Sequence, residues 1–322
     1  MVDAHDSKSC LARGGGSSPL PGTMKKQKVL IVLGPTASGK SSLGIRLAKE
    51  FNGEIISADS RQVYKGLDIG SGKVTKREMS GIPHHLIDVA NPKKRFSASD
   101  YKKLGDKSLA RIINKNKLPI IVGGTGFYID TLTGKMVLPE VPPNPILRKY
   151  LENKSAEELF KILKKKDPKR AENIDSKNKV RLIRALEIIE SLGKVPQTAN
   201  SSQLSAYSFI YIGINPNREI LNERIYKRLI SRLPGMMREV RKLHKDGLSY
   251  KRMEELGLEY RYLARLLQNK ITKKKFIEEL YKEIKHYSKR QMTWFKRNKK
   301  IKWFSSAEFA PIHKYLEGLM RK

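Results

Sequence analysis

The run Gly34-Pro35-Thr36-Ala37-Ser38-Gly39-Lys40-Ser41 places glycine, lysine and hydroxyl residues at the spacing G-x-x-x-x-G-K-S. Such a turn aims successive backbone N–H groups at one anion. Lys40 adds a point cation, and Ser41 offers a hydroxyl able to ligate Mg2+. The pattern specifies a bound polyphosphate and leaves the reaction open. Asp59 ends the apolar stretch "GEIISADS". A carboxylate at that place could ligate Mg2+ through water or act as a general base, and it could equally cap the turn that follows. Arg61 and Gln62 come next, with donors and acceptors suited to a base edge. Gly123 and Gly124 allow close approach to the backbone and Thr125 adds a hydroxyl, although a plain strand–helix turn would use the same residues. His84 and His85 are adjacent, so a strand would send them to opposite faces; they read as structural rather than as a ligand pair. Asp88, in "HHLIDV", keeps a phosphate-transferring kinase open, since such an enzyme carries a second carboxylate at a strand end.

These residues need rigid elements behind them. "KVLIVLG" is a continuous apolar run, as expected of a buried parallel strand, and Leu43, Leu47, Ala48 and Phe51 then recur at helical spacing. The glycine-rich turn therefore lies between a strand and a helix. "GEIISADS", "HHLIDV" (84–89), "LPIIVGGTGFYID" (118–130) and "FIYIGINP" (209–216) supply four more strands. Their alternation with helices predicts an α/β fold of the P-loop NTPase-like kind, a doubly wound parallel sheet with ligands at the carboxyl ends of its strands. Residues 139–206 open with the proline-rich "LPEVPPNP" and continue as charged helical sequence, which predicts an inserted helical subdomain. There Val180, Ala185, Leu186, Ile189 and Leu192 suggest an apolar stripe, stopped by Gly193 and Pro196. Residues 24–138 and 207–322 form the two parts of the core. The second part turns helical and basic, beginning with "REILNERIYKRLISRL" and including a helix faced by Phe276, Ile277, Leu280, Tyr281 and Ile284. Residues 1–23, rich in Gly, Ser and Pro, read as a tag, a linker or a mis-assigned start ahead of Met24.

The bulk composition narrows the partners. The 322 residues include 66 Lys and Arg against 32 Asp and Glu, a formal net charge of +34. A charge of that size repels itself and calls for a polyanion, with nucleic acid as the expected class. The single cysteine, Cys10, excludes a disulfide framework and a cysteine-based zinc finger. No apolar run approaches the ~18 residues of a membrane span. A reducing, cytoplasmic setting, no membrane and a monomeric chain are expected.

Six stretches occur here in order: "GPTASGKSSL", "ISADSRQVYKGLDIGSGK", "HHLIDV", "PIIVGGTGFY", "RLIRALE" and "KRQMTWF". Together, over about residues 25–300, they closely resemble the tRNA dimethylallyltransferase family. The resemblance implies transfer of a dimethylallyl group from dimethylallyl diphosphate to N6 of adenosine 37 in the tRNA anticodon stem-loop, releasing diphosphate, with Mg2+ as cofactor. The loop 34–41 would then hold the leaving diphosphate. By resemblance Thr36 also touches the donor, Arg224 helps bind the diphosphate, and Asp59 accepts the N6 proton. Ser60, Arg61 and Gln62 form the receiving pocket with Asp59. Thr125 and Arg148 match positions at the tRNA channel, and Val180, Arg181, Leu182, Ile183 and Arg184 match a tRNA-contacting helix. Lys289 and Arg290 are candidates for phosphate contact, while Trp294 is expected to pack against the core. In "LGLEYR" Glu259 stands where the family often has glycine; Gly257 and Arg261 are carried over at that motif. The lack of a zinc finger points to the bacterial or organellar type. A free-nucleotide isopentenyltransferase is the runner-up, followed by a small-molecule kinase and a binding module without catalysis. The insertion and basic tail favour tRNA, and Lys40, Ser41 and Asp59 favour an enzyme.

Overall fold

The computed structural model describes residues 26–196 and 206–320; the reading of 1–23 falls outside them. In chain order the elements are β1 (Gln27–Leu33), α1 (Lys40–Glu50), β2 (Gly53–Ala58), α2 (Lys76–Met79), β3 (His84–His85), α3 (Ala98–Asn114), β4 (Leu118–Gly123) and α4 (Gly126–Leu132). Next come α5 (Pro145–Glu152), α6 (Ala156–Lys166), α7 (Pro168–Glu172), α8 (Lys179–Leu192), β5 (Tyr207–Ile214) and α9 (Arg218–Lys245). The chain ends with α10 (Tyr250–Leu256), α11 (Leu258–Leu267), α12 (Lys273–Phe295), β6 (Ile301–Phe304) and α13 (Phe309–Met320).

The strands form one six-stranded sheet in the order β3-β2-β4-β1-β5-β6, and every pairing is parallel. Alternation along β1 divides its side chains between two cores. Leu30 and Val32 join Leu43 and Leu47 of α1 and Ile312 and Leu316 of α13 on one face. Val29, Ile31 and Leu33 join Leu109 and Ile112 of α3, Ile129 of α4 and the α9–α12 layer on the other. Each fully buried Leu or Ile contributes on the order of 1.5–3 kcal/mol, so both layers clamp the central strand.

Two elements differ from the sequence reading, and a third runs on past a proline. The stretch 84–89 yields only a two-residue strand, because Leu86 and Asp88 adopt left-handed backbone (φ 63° and 57°). A sixth strand, "IKWF", follows the basic helix at the sheet edge beside β5; four residues next to a lysine run carry too little pattern to read. And α9 continues through Pro234-Gly235 to Lys245. Proline normally ends a helix, but the buried stripe Leu229, Leu233, Met236, Val240 and Leu243 holds this one to the core on both sides of the ring.

The stretch 139–196 gives α5–α8 an apolar cluster of their own, with Leu151, Leu159, Leu163, Leu182, Ile183, Leu186 and Ile189. The stripe read for α8 holds at Ala185, Leu186 and Ile189, which are buried, but not at its ends: Val180 is 75% exposed and Leu192 48%, while Leu182 and Ile183 point inward. Gly193 ends the helix with positive φ, as expected.

Candidate functional site

Register brings the chemistry to one edge. Ala58 of β2 pairs with Gly123 of β4, and Gly123 pairs with Leu33 of β1. The turns that begin at Asp59, Gly124 and Gly34 therefore leave neighbouring strands at the same level, at their carboxyl ends.

On the β1 side, residues 34–39 run into the N-terminus of α1. Gly39 has φ 90° and Ala37 φ 62°, the left-handed conformations that let successive amides face one point. The Ser38 hydroxyl is buried in this turn without a partner, an unused donor that a phosphate oxygen could accept from. Lys40 donates to the Pro35 carbonyl at 3.2 Å. Burial lowers its pKa to about 8; Asp59 counters that shift and Arg228 adds to it. A cleft of about 520 Å³ opens here, lined by Lys40 and Ser41 and by Arg224, Arg228 and Arg232 at successive four-residue steps on α9. Arg228 also donates to the Thr36 hydroxyl. Ser41 would hold Mg2+: one protein hydroxyl beside a cationic phosphate cleft suits an ion that keeps most of its ligands as water and phosphate oxygen.

On the β2 side, Asp59 Oδ1 accepts from the backbone N–H of Arg61 at 2.8 Å and of Gln62 at 3.3 Å. The turn-capping role considered from sequence is thus real, and it engages only one of the two carboxylate oxygens. Ser60 N–H donates to Thr125 Oγ1 (3.1 Å), and Gln62 bonds Ser57 Oγ (3.3 Å) and the Gly72 carbonyl (3.4 Å). Arg61 donates through Nη1 to the Ser60 carbonyl, while its Nε is buried without a partner. The phenol of Tyr287 on α12 is pushed up first by burial and then by the charge of Asp59. Gly257, with φ 75° between α10 and α11, leaves the Arg61 and Arg261 guanidinium groups 3.8 Å from where its Cβ would be. Arg261 itself donates to the Glu254 carbonyl at 3.2 Å. The site is thus a cationic anion cleft beside a hydrogen-bonded polar cluster around Asp59.

A family model described as IPP transferase matches residues 62–298. The chain belongs to this family. A tRNA dimethylallyltransferase 2 of Treponema denticola is 43% identical over 280 residues, 85% of this chain and 93% of that one. The crystal structure of a full-length tRNA isopentenylpyrophosphate transferase from Bacillus halodurans aligns with TM-score 0.68 and 34% identity, covering 91% of this chain and 96% of its own. A eukaryotic dimethylallyltransferase, crystallised in snapshots acting on tRNA, aligns with TM-score 0.70 and 26% identity over 83% of this chain and 69% of its own.

Among IPP transferase residues expected to touch RNA, several stand elsewhere. Leu182 (0% exposed) and Ile183 (6%) are core residues of the helical insertion, so their side chains cannot meet a nucleotide; only Val180 and Arg181 of that run face solvent freely. Helical geometry explains the correction, since five consecutive residues span more than one turn and must include the inward face. Arg148 makes two 2.7 Å bonds to the buried Glu187, and Arg184 bonds the same carboxylate (3.4 Å) and the Val141 carbonyl (2.7 Å). Both arginines therefore latch α5 and the proline-rich linker to α8. Arg290 is paired with Glu283 at 2.7 Å, and Lys289 is exposed. Trp294 packs on the core, donating to Asp130 at 2.7 Å. Asp88 is exposed and pairs with Lys73, so it does not supply the strand-end carboxylate of a kinase.

Sequence reasoning missed Arg228, Arg232, Glu259 and Gln291. The three arginines repeat every four residues on one helix face, a signal that was available. Glu259 shares a small cavity with Arg228 and Arg232. Burial raises its pKa, opposed by Arg228 and Arg61; nothing local in "LGLEYR" indicates this meeting.

Proposed function

We propose that the protein transfers a dimethylallyl group from dimethylallyl diphosphate to N6 of adenosine 37 in the tRNA anticodon loop. The observation that carries this reading is the register of Leu33, Gly123 and Ala58, which starts the Lys40 turn and the Asp59 turn at the same level on one edge of the sheet. One site thus offers a cation to a leaving group and a carboxylate to a nucleophile. In the reaction N6 attacks C1 of the allyl group and the N6–C1 bond forms as the C1–O bond breaks. The electron pair leaves on the diphosphate, and the N6 proton passes to Asp59. The amides of residues 34–41, Lys40, Arg224 and Arg228 stabilise the negative charge where it develops. Mg2+ held at Ser41 would add Lewis-acid neutralisation of that charge. Orientation supplies much of the acceleration, since an exocyclic amine is a poor nucleophile.

The adenosine must leave the loop's stack to enter, and Ser60, Arg61, Gln62 and Thr125 are placed to read its edges. The helical insertion α5–α8, with Arg181 outward, and the α12 flank at Lys289 and Arg290 would carry the RNA backbone. We read the protein as a monomer of the cytoplasm; among the described residues no helix is long and apolar enough to cross a membrane.

The test is incubation with Mg2+, dimethylallyl diphosphate and unmodified tRNA, followed by digestion and mass spectrometry, with AMP or ATP in parallel tubes. Prenylated adenosine from tRNA alone is the expected result. Product from the free nucleotide alone would transfer the assignment to the free-nucleotide enzyme. Asp59→Ala should abolish turnover while leaving tRNA binding nearly intact; equal loss of both would remove its role as base.

A further inference from the structure

The side chain of Gln291, on α12, is 6% exposed and lies between the two halves of the site. Its Oε1 accepts from the Thr36 backbone N–H at 2.9 Å, and its Nε2 donates to the Gly124 carbonyl at 2.9 Å. The amide fits both neighbours, accepting from one and donating to the other. The fit is close: a Cβ at Gly124 would stand 2.3 Å from the Gln291 nitrogen. On one side the bond fixes the loop that faces the donor. On the other it fixes the turn that presents Thr125, whose hydroxyl accepts from Ser60 beside Asp59.

We infer that Gln291 is a positioning residue that sets the separation and angle between the diphosphate cradle and the adenosine pocket. Resting on the prenyl-transfer reading, this role concerns alignment rather than affinity. Each half keeps its own phosphate or base contacts when Gln291 is changed, so each substrate still binds. What is lost is the register in which N6 faces C1 opposite the leaving oxygen. A misplacement of ~1 Å at a reacting pair costs on the order of a hundredfold in rate. One turn before Gln291, α12 carries Tyr287, whose phenol feels the charge of Asp59, so the same helix runs past both halves.

The experiment uses the full chain and compares steady-state prenylation of tRNA by wild type, Gln291→Met and Gln291→Glu, with melting temperature measured for each. Gln291→Met keeps the volume and removes both hydrogen bonds. It should lower kcat by about a hundredfold while KM for dimethylallyl diphosphate and for tRNA each stay within about threefold. Gln291→Glu retains an acceptor for Thr36 but turns an oxygen toward the Gly124 carbonyl unless it is protonated. Its activity relative to wild type should therefore rise as pH falls, a profile that a packing role would not produce. Unchanged kcat, a loss confined to KM, a loss that tracks the unfolded fraction, or a flat Glu-to-wild-type ratio would each overturn the inference. Absence of prenylated product from wild type itself would instead overturn the reaction, and with it the alignment role.

Discussion

Replacing Arg228 tests the anion cleft most directly. This guanidinium is largely buried, donates to the Thr36 hydroxyl and lines the cleft with Lys40. Burial lowers its pKa, Arg232 adds to the shift, and Glu259 and Asp59 counter it. A diphosphate oxygen ~4 Å from it would gain ~4 kcal/mol at an effective dielectric of 20. Direct measurements of charged hydrogen bonds give ~1.5–3 kcal/mol. Relief of its repulsion with Arg232 and Lys40 on removal offsets part of this, so Arg228→Ala should cost about 2–4 kcal/mol of transition-state stabilisation. That is a fall of roughly 30- to 1,000-fold in kcat/KM for dimethylallyl diphosphate. Arg228→Lys keeps the charge but loses the fork that reaches Thr36 and phosphate together, and should fall by only about tenfold. Initial rates at saturating tRNA with varied donor give the parameters, and filter binding gives tRNA affinity, which should hold within about threefold. A loss below threefold in kcat/KM for Arg228→Ala, or a loss residing in tRNA affinity, would refute the assignment of this cleft to the diphosphate.

Three further outcomes follow from charge and geometry. With the pKa of Lys40 lowered by burial to about 8, donor binding near that pH should take up a proton, because the diphosphate favours the ammonium. Calorimetry in buffers of different ionisation enthalpy would show it, and donor KM should climb as pH rises above 8; no proton uptake would sink the assignment. Glu54 is fully buried and meets His85 (2.7 Å), Lys115 (3.1 Å) and Lys117 (3.0 Å). Burial alone would raise its pKa, but these partners bring it from 4.5 down to about 2. Its contribution is therefore present above pH 4.5 and lost as pH falls toward 2. Screening at the half-exposed lysines trims it to about 2 kcal/mol, so Glu54→Gln should flatten the acid limb of the stability–pH curve, and an unchanged limb would refute the depressed pKa. Glu239 accepts from the N–H groups of Asp68, Ile69 and Gly70 (2.9, 2.5 and 3.1 Å) and from the Tyr260 hydroxyl (2.8 Å). Glu239→Ala should cost about 3 kcal/mol by denaturant melt and loosen the loop that carries Lys73 to the cleft; faster amide exchange at residues 68–73 would report it, and unchanged exchange there would count against the anchor.

Much of this was legible in the sequence because local pattern and fold agree where a parallel strand enters a helix. Gly34–Ser41 and Gly123–Thr125 each sit at such a junction, Asp59–Gln62 opens the turn after a third strand, and the register unites them. Arg148 and Arg184 were less legible: a basic helix face looks the same in sequence whether it meets phosphate or, as here, a buried carboxylate 39 or 3 residues away. The meeting of Gln291 with Thr36 spans 255 positions, and no periodicity encodes a contact of that range. Strand β6 was hidden by brevity, and at the ends of α8 the inward positions are Leu182 and Ile183 rather than Val180 and Leu192.

The span of the Gln291 bridge bears on biosynthesis. The chain emerges from its amino end, so the glycine-rich loop and the Asp59 turn are made long before the helix that joins them. Lys28, at the start of the sheet, likewise waits for the carbonyls of Leu319 and Met320, which it meets at 2.8 and 3.0 Å. Contacts of such long range close late and slow the search for the native state. A chain cut short before α12 therefore holds most of the sheet and both halves of the site without the Gln291 bridge between them. On the alignment role proposed for Gln291, prenylation competence also reports that synthesis has run through α12.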